Sequence, residues 1–240
     1  MELNPSIRRL AGRLLPRFVR DLLDPVEARI RRETASFAAT VPAGATVLDA
    51  GCGENRFKAL FPGRRFVGYD RGVGDARWDY STVDVQGDLE RLALRDGSVD
   101  AAMLLVVLEH VRRPGEVVRE VSRVLGPGGR LLAVVPLLWE THQEPHDYFR
   151  FTRHGIRFLL EEAGLEPQRV EPLGGFFTLA ARRSVNLLAF FQRSWRWVFF
   201  VLLAPFFGFL FPLLLRALDP LDRDRAFTLA YVVHARKSPS

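Results

Sequence analysis

The segment Val47-Leu48-Asp49-Ala50-Gly51-Cys52-Gly53-Glu54-Asn55 takes an apolar run into an acidic residue and then turns through two glycines spaced by one. This pattern predicts a buried parallel strand that hands over to a tight nucleotide-binding loop and the N-terminus of a helix. Without a Cβ at Gly51 or Gly53, backbone N–H groups can approach a ligand closely. A G-x-G alone is weak, and its weight depends on the motifs downstream and their distances from it.

The chain of 240 residues fits one α/β domain with additions, or at most two small domains. With 48% hydrophobic residues and a mean hydropathy of +0.02 it can bury a core. The net charge of +6 rests on arginine, since Lys58 and Lys237 are the only lysines. Arginines and aromatics do not interleave as a base-stacking patch would require, so nucleic acid is not expected as a partner. Cys52 is the single cysteine, which excludes an internal disulfide and fits a reducing compartment. Within the glycine turn it reads as a small apolar filler rather than a catalytic thiol. No secretory signal is expected at the N-terminus. Instead Ile7–Val26 alternates arginines with Leu, Phe and Val, a basic amphipathic helix interrupted near Pro16. It suits either covering the domain or lying on an anionic membrane.

Downstream, strand, turn and helix signals alternate. Strands are expected at Thr46–Ala50, Arg65–Asp70, Thr82–Gly87, Val99–Val106 and Arg130–Pro136, with helices at Val117–Leu125 and Arg153–Ala163. Two last strands are expected at Gln168–Glu171 and Ala226–Lys237. The near-continuous apolar strands imply a parallel sheet with helices on both faces.

Asp70 closes the second strand 19 residues after Gly51, where an acidic residue can accept hydrogen bonds from ribose hydroxyls. NAD-binding chains share that feature, but a dinucleotide loop wants a third glycine near the position held by Arg56. Further on come Gly87-Asp88-Leu89-Glu90, Leu94-Arg95-Asp96-Gly97-Ser98-Val99-Asp100 and Val107-Leu108-Glu109-His110-Val111. After them stand Arg113-Pro114 and Glu120-Val121-Ser122-Arg123-Val124-Leu125-Gly126-Pro127-Gly128-Gly129. In this order, from about Ala43 to Gly164, the chain resembles the class I S-adenosylmethionine-dependent methyltransferases, in particular the group called methyltransferase type 11. The resemblance implies a Rossmann-like sheet and S-adenosyl-L-methionine as cofactor. It implies that Asp49, Gly51 and Gly53 accommodate the methionine part, that Asp70 binds the ribose and that Asp88 meets the adenine amino group. Leu89 would pack near the ring, and Val106 with Val107 would border cofactor and acceptor. Asn55 stands where the family usually has another glycine, and Asn tolerates the left-handed conformation such a turn needs.

Methyl transfer needs little chemistry from the protein: the sulfonium is already electrophilic, and alignment with exclusion of water supplies much of the acceleration. A hydroxyl acceptor benefits from a general base. His110, His142 and His146 are the candidates, each with a structural alternative. The run Pro145-His146-Asp147-Tyr148-Phe149-Arg150-Phe151-Thr152 resembles one subset of these methyltransferases. It lies at the carboxyl edge where α/β sheets bind ligands, so Asp147, Tyr148 and Arg150 become candidates for the acceptor pocket. The alternative is a self-bonded lid with Thr152 capping the next helix. No metal site is expected, because His142 and His146 lack a third ligand of fitting spacing.

Trp197–Leu215 is 19 residues without a charge, the length of a membrane span. It lies between the last two strands, which pair antiparallel in the fold implied, so both ends must emerge on one side and a single crossing is excluded. Arginines flank it on both sides. Pro205, Gly208 and Pro212 predict breaks, giving a re-entrant hairpin over about Val185–Leu218. The alternative is a dimerisation or domain-covering element. The expected organisation is an N-terminal helical segment (1–40), a core (41–180), an apolar helical insert (181–222) and the last strand with a tail (223–240). The expected function is methylation of a lipid, lipid-linked glycan or other amphipathic acceptor at the cytoplasmic face of the cell membrane. A soluble small-molecule methyltransferase or a non-catalytic scaffold are the alternatives.

Overall fold

A computed structural model of the chain describes residues 16, 20–21, 24–74, 78–192 and 194–239. Most of the amphipathic segment expected at Ile7–Val26 lies outside them. The chain divides into two compact units, one formed by 30–171 with 230–240 and the other by 1–29 with 172–229.

The first unit is built on a seven-stranded sheet. Its strands are β1 (Thr46–Ala50), β2 (Arg65–Asp70), β3 (Val85–Gln86), β4 (Val99–Leu105), β5 (Leu125–Pro136), β6 (Leu165–Leu173) and β7 (Ala230–Lys237). Their order is β3-β2-β1-β4-β5-β7-β6. The strands β1 to β5 pair parallel, and β7 runs antiparallel to β5 with Arg130 opposite Arg236 and Pro136 opposite Ala230. The strand order reverses between β1 and β4, and a crevice at the carboxyl ends is expected there.

Side-chain alternation sorts the core into two layers. Leu48, Ala102, Leu104, Leu131, Ala133 and Val233 face one way, packed with Val117, Val118 and Val121 of helix α2 (Pro114–Val124) and Ile156 and Leu160 of helix α3 (Arg153–Glu162). On the other face His234 of β7 meets Glu33 at 3.2 Å and the ring of Phe37 at 6.3 Å. Both belong to helix α1 (Pro25–Thr40). Helices therefore cover both faces. Thr152 caps α3 by accepting from the Gly155 N–H at 3.0 Å, as its sequence context suggested.

One expected feature differs. The glycine turn leads not into an α-helix but into a single 3-10 turn at Lys58–Leu60. Only 14 residues separate β1 from β2; Phe57 and Phe61 are both buried, and Pro62-Gly63 ends the run before a helix can extend. Between β3 and β4 no helix forms either. There the Arg123 guanidinium donates to the carbonyls of Leu94 and Leu92, both at 2.9 Å, and pins the turns to α2.

The second unit contains α4 (Phe176–Leu187) and the helical run Ser194–Leu221, 28 residues long. That run comprises α5 (Trp197–Pro205), a π-helical turn (Phe206–Leu210) and α6 (Phe211–Leu218). α4 packs against α6, so the two legs form a hairpin. The breaks expected at Pro205, Gly208 and Pro212 are absorbed by the π turn, and the chain reverses near Gln192 instead. At the open end Asp222 accepts from the Phe176 N–H at 2.6 Å and Asp219 from the Thr178 N–H at 3.2 Å. They satisfy donors that the first turn of α4 would otherwise leave free.

The central layer predicts its own test. Leu104 is fully buried on β4, and Leu104→Ala should cost about 2–5 kcal/mol, read as a lower urea midpoint with an unchanged slope.

Candidate active site

The acidic-glycine turn is tied to the end of β2 by backbone bonds. Gly51 N–H and Cys52 N–H both donate to the Tyr69 carbonyl, at 2.8 and 3.2 Å. One oxygen of Asp70 accepts from Gly53 N–H at 2.9 Å and the other from Gly72 N–H at 2.7 Å. Each oxygen keeps a further lone pair for a diol. Gly51 has φ +83°, and a Cβ there would lie 2.6 Å from the Val107 side chain, so only glycine fits. Asn55 takes φ +56°, as its αL tolerance allows, and its amide donates to the Thr82 carbonyl. Asp88 is exposed beyond β3 and accepts from Glu90 N–H at 3.0 Å, while Leu89 beside it is buried.

Asp49 is 3% exposed. Burial pushes its pKa from 3.8 to about 7, opposed by the Arg56 charge and reinforced by Asp70. Burial, followed by the charges of Asp49 and Asp70, drives the Cys52 thiol up to about 12. Cys52 is thus inert at neutral pH, in keeping with a filler.

At the end of β4, Val106 has φ +62°, a strained value for a β-branched residue of the kind that clusters at functional sites. Its N–H is held by the Val134 carbonyl at 2.9 Å. The strand then turns through Leu108–His110. His110 and His142, 32 positions apart in sequence, are brought together with Nε2 atoms 3.0 Å apart. Sequence reasoning missed their neighbour. Glu109 is fully buried, and its Oε1 lies 3.8 Å from His110 Nε2 and 3.7 Å from His142 Nε2. Neither of its oxygens has a hydrogen-bond partner among the described residues. Burial raises its pKa to about 8, and burial lowers that of His110. The one sequence signal was an acidic residue directly after the apolar pair Val107-Leu108, too weak to separate a buried glutamate from a surface one.

The 139–150 loop is laced to itself. Arg150 grips Asp147 with two nitrogens, at 2.5 and 2.7 Å, and donates to the Glu140 carbonyl at 3.2 Å. Burial raises the Asp147 pKa, but the bonds from Arg150 and from the His142 N–H outweigh it and bring the carboxyl down to about 2. His146 does not join His110 and His142 through its ring; its Nδ1 faces the Tyr148 hydroxyl at 3.0 Å, and Tyr148 is exposed. Trp78, not singled out from sequence, lies against the glycine turn, 3.1 Å from where a Cβ of Gly53 would stand.

Comparison with known proteins accords with this layout. A family profile described as a methyltransferase domain matches residues 48–133. The ubiquinone biosynthesis O-methyltransferase of Xanthomonas axonopodis pv. citri is 30% identical over 182 residues, covering 62% of this chain and 76% of that protein. The chain belongs to the class I S-adenosylmethionine-dependent methyltransferases. A tRNA (carboxymethyluridine(34)-5-O)-methyltransferase of Arabidopsis thaliana is 32% identical over 117 residues, 47% of this chain but 28% of that protein. The chain spans less than half the length of two further relatives. Among solved structures, the Burkholderia thailandensis 1,6-didemethyltoxoflavin-N1-methyltransferase with bound S-adenosylhomocysteine superposes with a TM-score of 0.52. Its identity is 18%, covering 99% of this chain and 92% of that one, a likeness of fold. The acidic and glycine positions meet what this family's cofactor needs: a close-approach turn at Gly51, a carboxylate at Asp70 with lone pairs to spare, and an exposed carboxylate at Asp88.

Two substitutions test this geometry. Gly51→Ala should lose more than about tenfold in affinity for S-adenosylhomocysteine by calorimetry, through the positive φ and the Val107 clash. Asp49 binds its proton more tightly folded than unfolded, so its contribution to stability is full below pH 3.8 and falls away up to about pH 7. Asp49→Asn should therefore raise the ligand-free melting temperature more at pH 8 than at pH 5. An equal gain at both values rejects the assignment.

Proposed function

We propose that the chain transfers the methyl group of S-adenosylmethionine to an amphipathic acceptor at the cytoplasmic face of a membrane. The observation that carries the transfer reading is the acid-glycine turn bonded to Asp70 at the point where strand order reverses. Asp49, Gly51 and Gly53 would hold the methionine portion, Asp70 the ribose and Asp88 with Leu89 the adenine, with Val106 bordering the transferred methyl. The bound cofactor supplies an electrophilic methyl, and the protein aligns an acceptor with it and keeps water out. His110, on the turn after β4, and His142, on the loop after β5, are the groups placed to act on an acceptor hydroxyl. Asp147 and Arg150 satisfy one another, so we assign them to shaping the loop, and Tyr148 with His146 to contacting the acceptor.

The membrane reading rests on the helix Ser194–Leu221. It is long and apolar enough to cross a membrane, and only 6% of its apolar stretch is buried. Trp195 and Leu202 are 70% and 68% exposed. A helix apolar all round calls for burial or lipid. Both connections of the segment return to neighbouring strands, β6 and β7, so it enters and leaves a bilayer on one side. A hairpin pushed fully through would carry Arg182 and Arg183 of α4 into hydrocarbon, at a cost of about 2.5–3.5 kcal/mol for each arginine at the centre. Lying in the interfacial plane lets those side chains reach the headgroups. We therefore favour an in-plane monotopic anchor over a re-entrant apex. Relatives whose names specify a quinone pathway and a tRNA do not fix the acceptor, and the exposed apolar helix is what favours a lipidic one.

Asp70→Ala should abolish S-adenosylhomocysteine binding, while unchanged affinity sinks the cofactor assignment. In flotation with anionic phosphatidylglycerol vesicles the parent chain should rise with the lipid. The surface pair Leu202→Glu/Phe209→Glu should remain at the bottom of the gradient with its melting temperature unchanged. A parent chain that stays with the soluble fraction overturns the membrane reading.

A further inference from the structure

We propose that Glu109, His110 and His142 form a binding site for one divalent transition-metal cation at the carboxyl end of β4. The distances among His110 Nε2, His142 Nε2 and Glu109 Oε1 are 3.0, 3.7 and 3.8 Å. A triangle with those sides has its centre roughly 2 Å from every corner, which is the length of a zinc–imidazole or zinc–carboxylate bond. A cation there would lie close to the plane of its three ligands.

The histidines are already oriented as ligands. His110 Nδ1 lies 2.5 Å from the His146 carbonyl and His142 Nδ1 lies 3.1 Å from the Glu140 carbonyl. Each carbonyl can only accept, so each Nδ1 carries a proton, and it is Nε2 that each ring presents inward as the ligand atom. Metal-bound histidines are oriented in this way by carbonyls behind them. His142 is further fixed by its N–H bond to Asp147 at 3.0 Å, and Asp147 is held by Arg150. Two lone pairs 3.0 Å apart repel unless something positive lies between them. A shared proton would relieve the histidines but leave both oxygens of the buried Glu109 without a partner. A cation satisfies all three groups together. Two imidazoles and one carboxylate suit zinc, iron or cobalt better than magnesium or calcium.

The role of this cation in transfer rests on the methyltransferase reading and narrows the acceptor to one bearing a hydroxyl. With that oxygen as its next ligand the cation lowers the hydroxyl pKa. The proton leaves to water, the oxygen–methyl bond forms, and the sulfonium carbon–sulfur bond breaks to leave the thioether.

Metal binding is measurable without turnover. Chelator-treated protein titrated with Co²⁺ should develop visible d–d absorption that saturates at one equivalent. His142→Ala and Glu109→Gln should each weaken Co²⁺ binding by at least about tenfold while S-adenosylhomocysteine binding persists, which shows the fold intact. If Glu109→Gln fails to fold, His142→Ala, on a surface loop, decides. No absorption in the parent chain, or Co²⁺ binding unchanged in His142→Ala, overturns the site. Loss of S-adenosylhomocysteine binding by the parent would instead count against the cofactor reading.

Discussion

The carboxyl edge of the sheet depends on how the Gly51–Gly53 turn is bonded to the end of β2. Two N–H groups converge on the Tyr69 carbonyl and a third reaches the Asp70 carboxylate, so β1 cannot end without presenting its turn beside β2. Because Gly51 has no side chain, Val107 can close in from the neighbouring strand. That approach requires β4 to leave the sheet sharply, and Val106 takes the positive φ that makes this possible. The strain, about 1–3 kcal/mol for such a residue, is held by the Val134 bond and the packed strand around it. The turn thereby places Glu109 and His110 over the same edge as Asp70.

Electrostatics at this edge has a consistent sign. Asp49 and Glu109 are both buried carboxyls with pKa values pushed up, to about 7 and about 8. Neither position is stabilised as an anion by the protein alone, since Arg56 offsets only part of the burial at Asp49. Such groups become favourable anions when a positive charge arrives nearby. Asp147 is the counterexample: its charge is already satisfied by Arg150, and it serves the loop.

The strands were legible because their signals are local. Short apolar runs mark β1, β2, β4, β5 and β7, those of β1, β2 and β5 closed by Gly51, Asp70 and Pro136, and their order implied the sheet. Asp49, Gly51, Asn55 and Asp70 were likewise readable, since a glycine turn and a strand-end acid carry their geometry in the residue type. The Glu109–His110–His142 group was not, because it joins two loops 32 residues apart and its buried carboxylate looks in sequence like any surface glutamate. Spacing led to His142 with His146, whereas the loop turns the His146 ring toward Tyr148 and contributes only its carbonyl to His110. The replacement of the expected helix after β1 by a 3-10 turn, and the helix-free link after β3, were invisible for a similar reason. A turn signal does not reveal that buried Phe57 and Phe61, or an Arg123 fork from another element, will hold the segment without one.

The apolar helix carries its own internal logic. Proline brings no N–H, so Pro205 and Pro212 should break a helix or leave carbonyls bare. The π turn between them widens the ladder: Phe211 N–H reaches the Phe206 carbonyl five residues back. Pro212 would then leave the Phe207 carbonyl without its donor. The buried hydroxyl of Ser184 on the opposite leg lies 3.2 Å from that carbonyl while also bonding Ala181 at 2.8 Å. Its single hydrogen is shared between the two carbonyls, so a hydroxyl on α4 offsets part of what the imino acid in the facing helix removes. In water this would gain little, because solvent could fill the gap. Where water is scarce, an unsatisfied carbonyl costs several kcal/mol, so this internal donor fits the in-plane membrane contact proposed above for the hairpin.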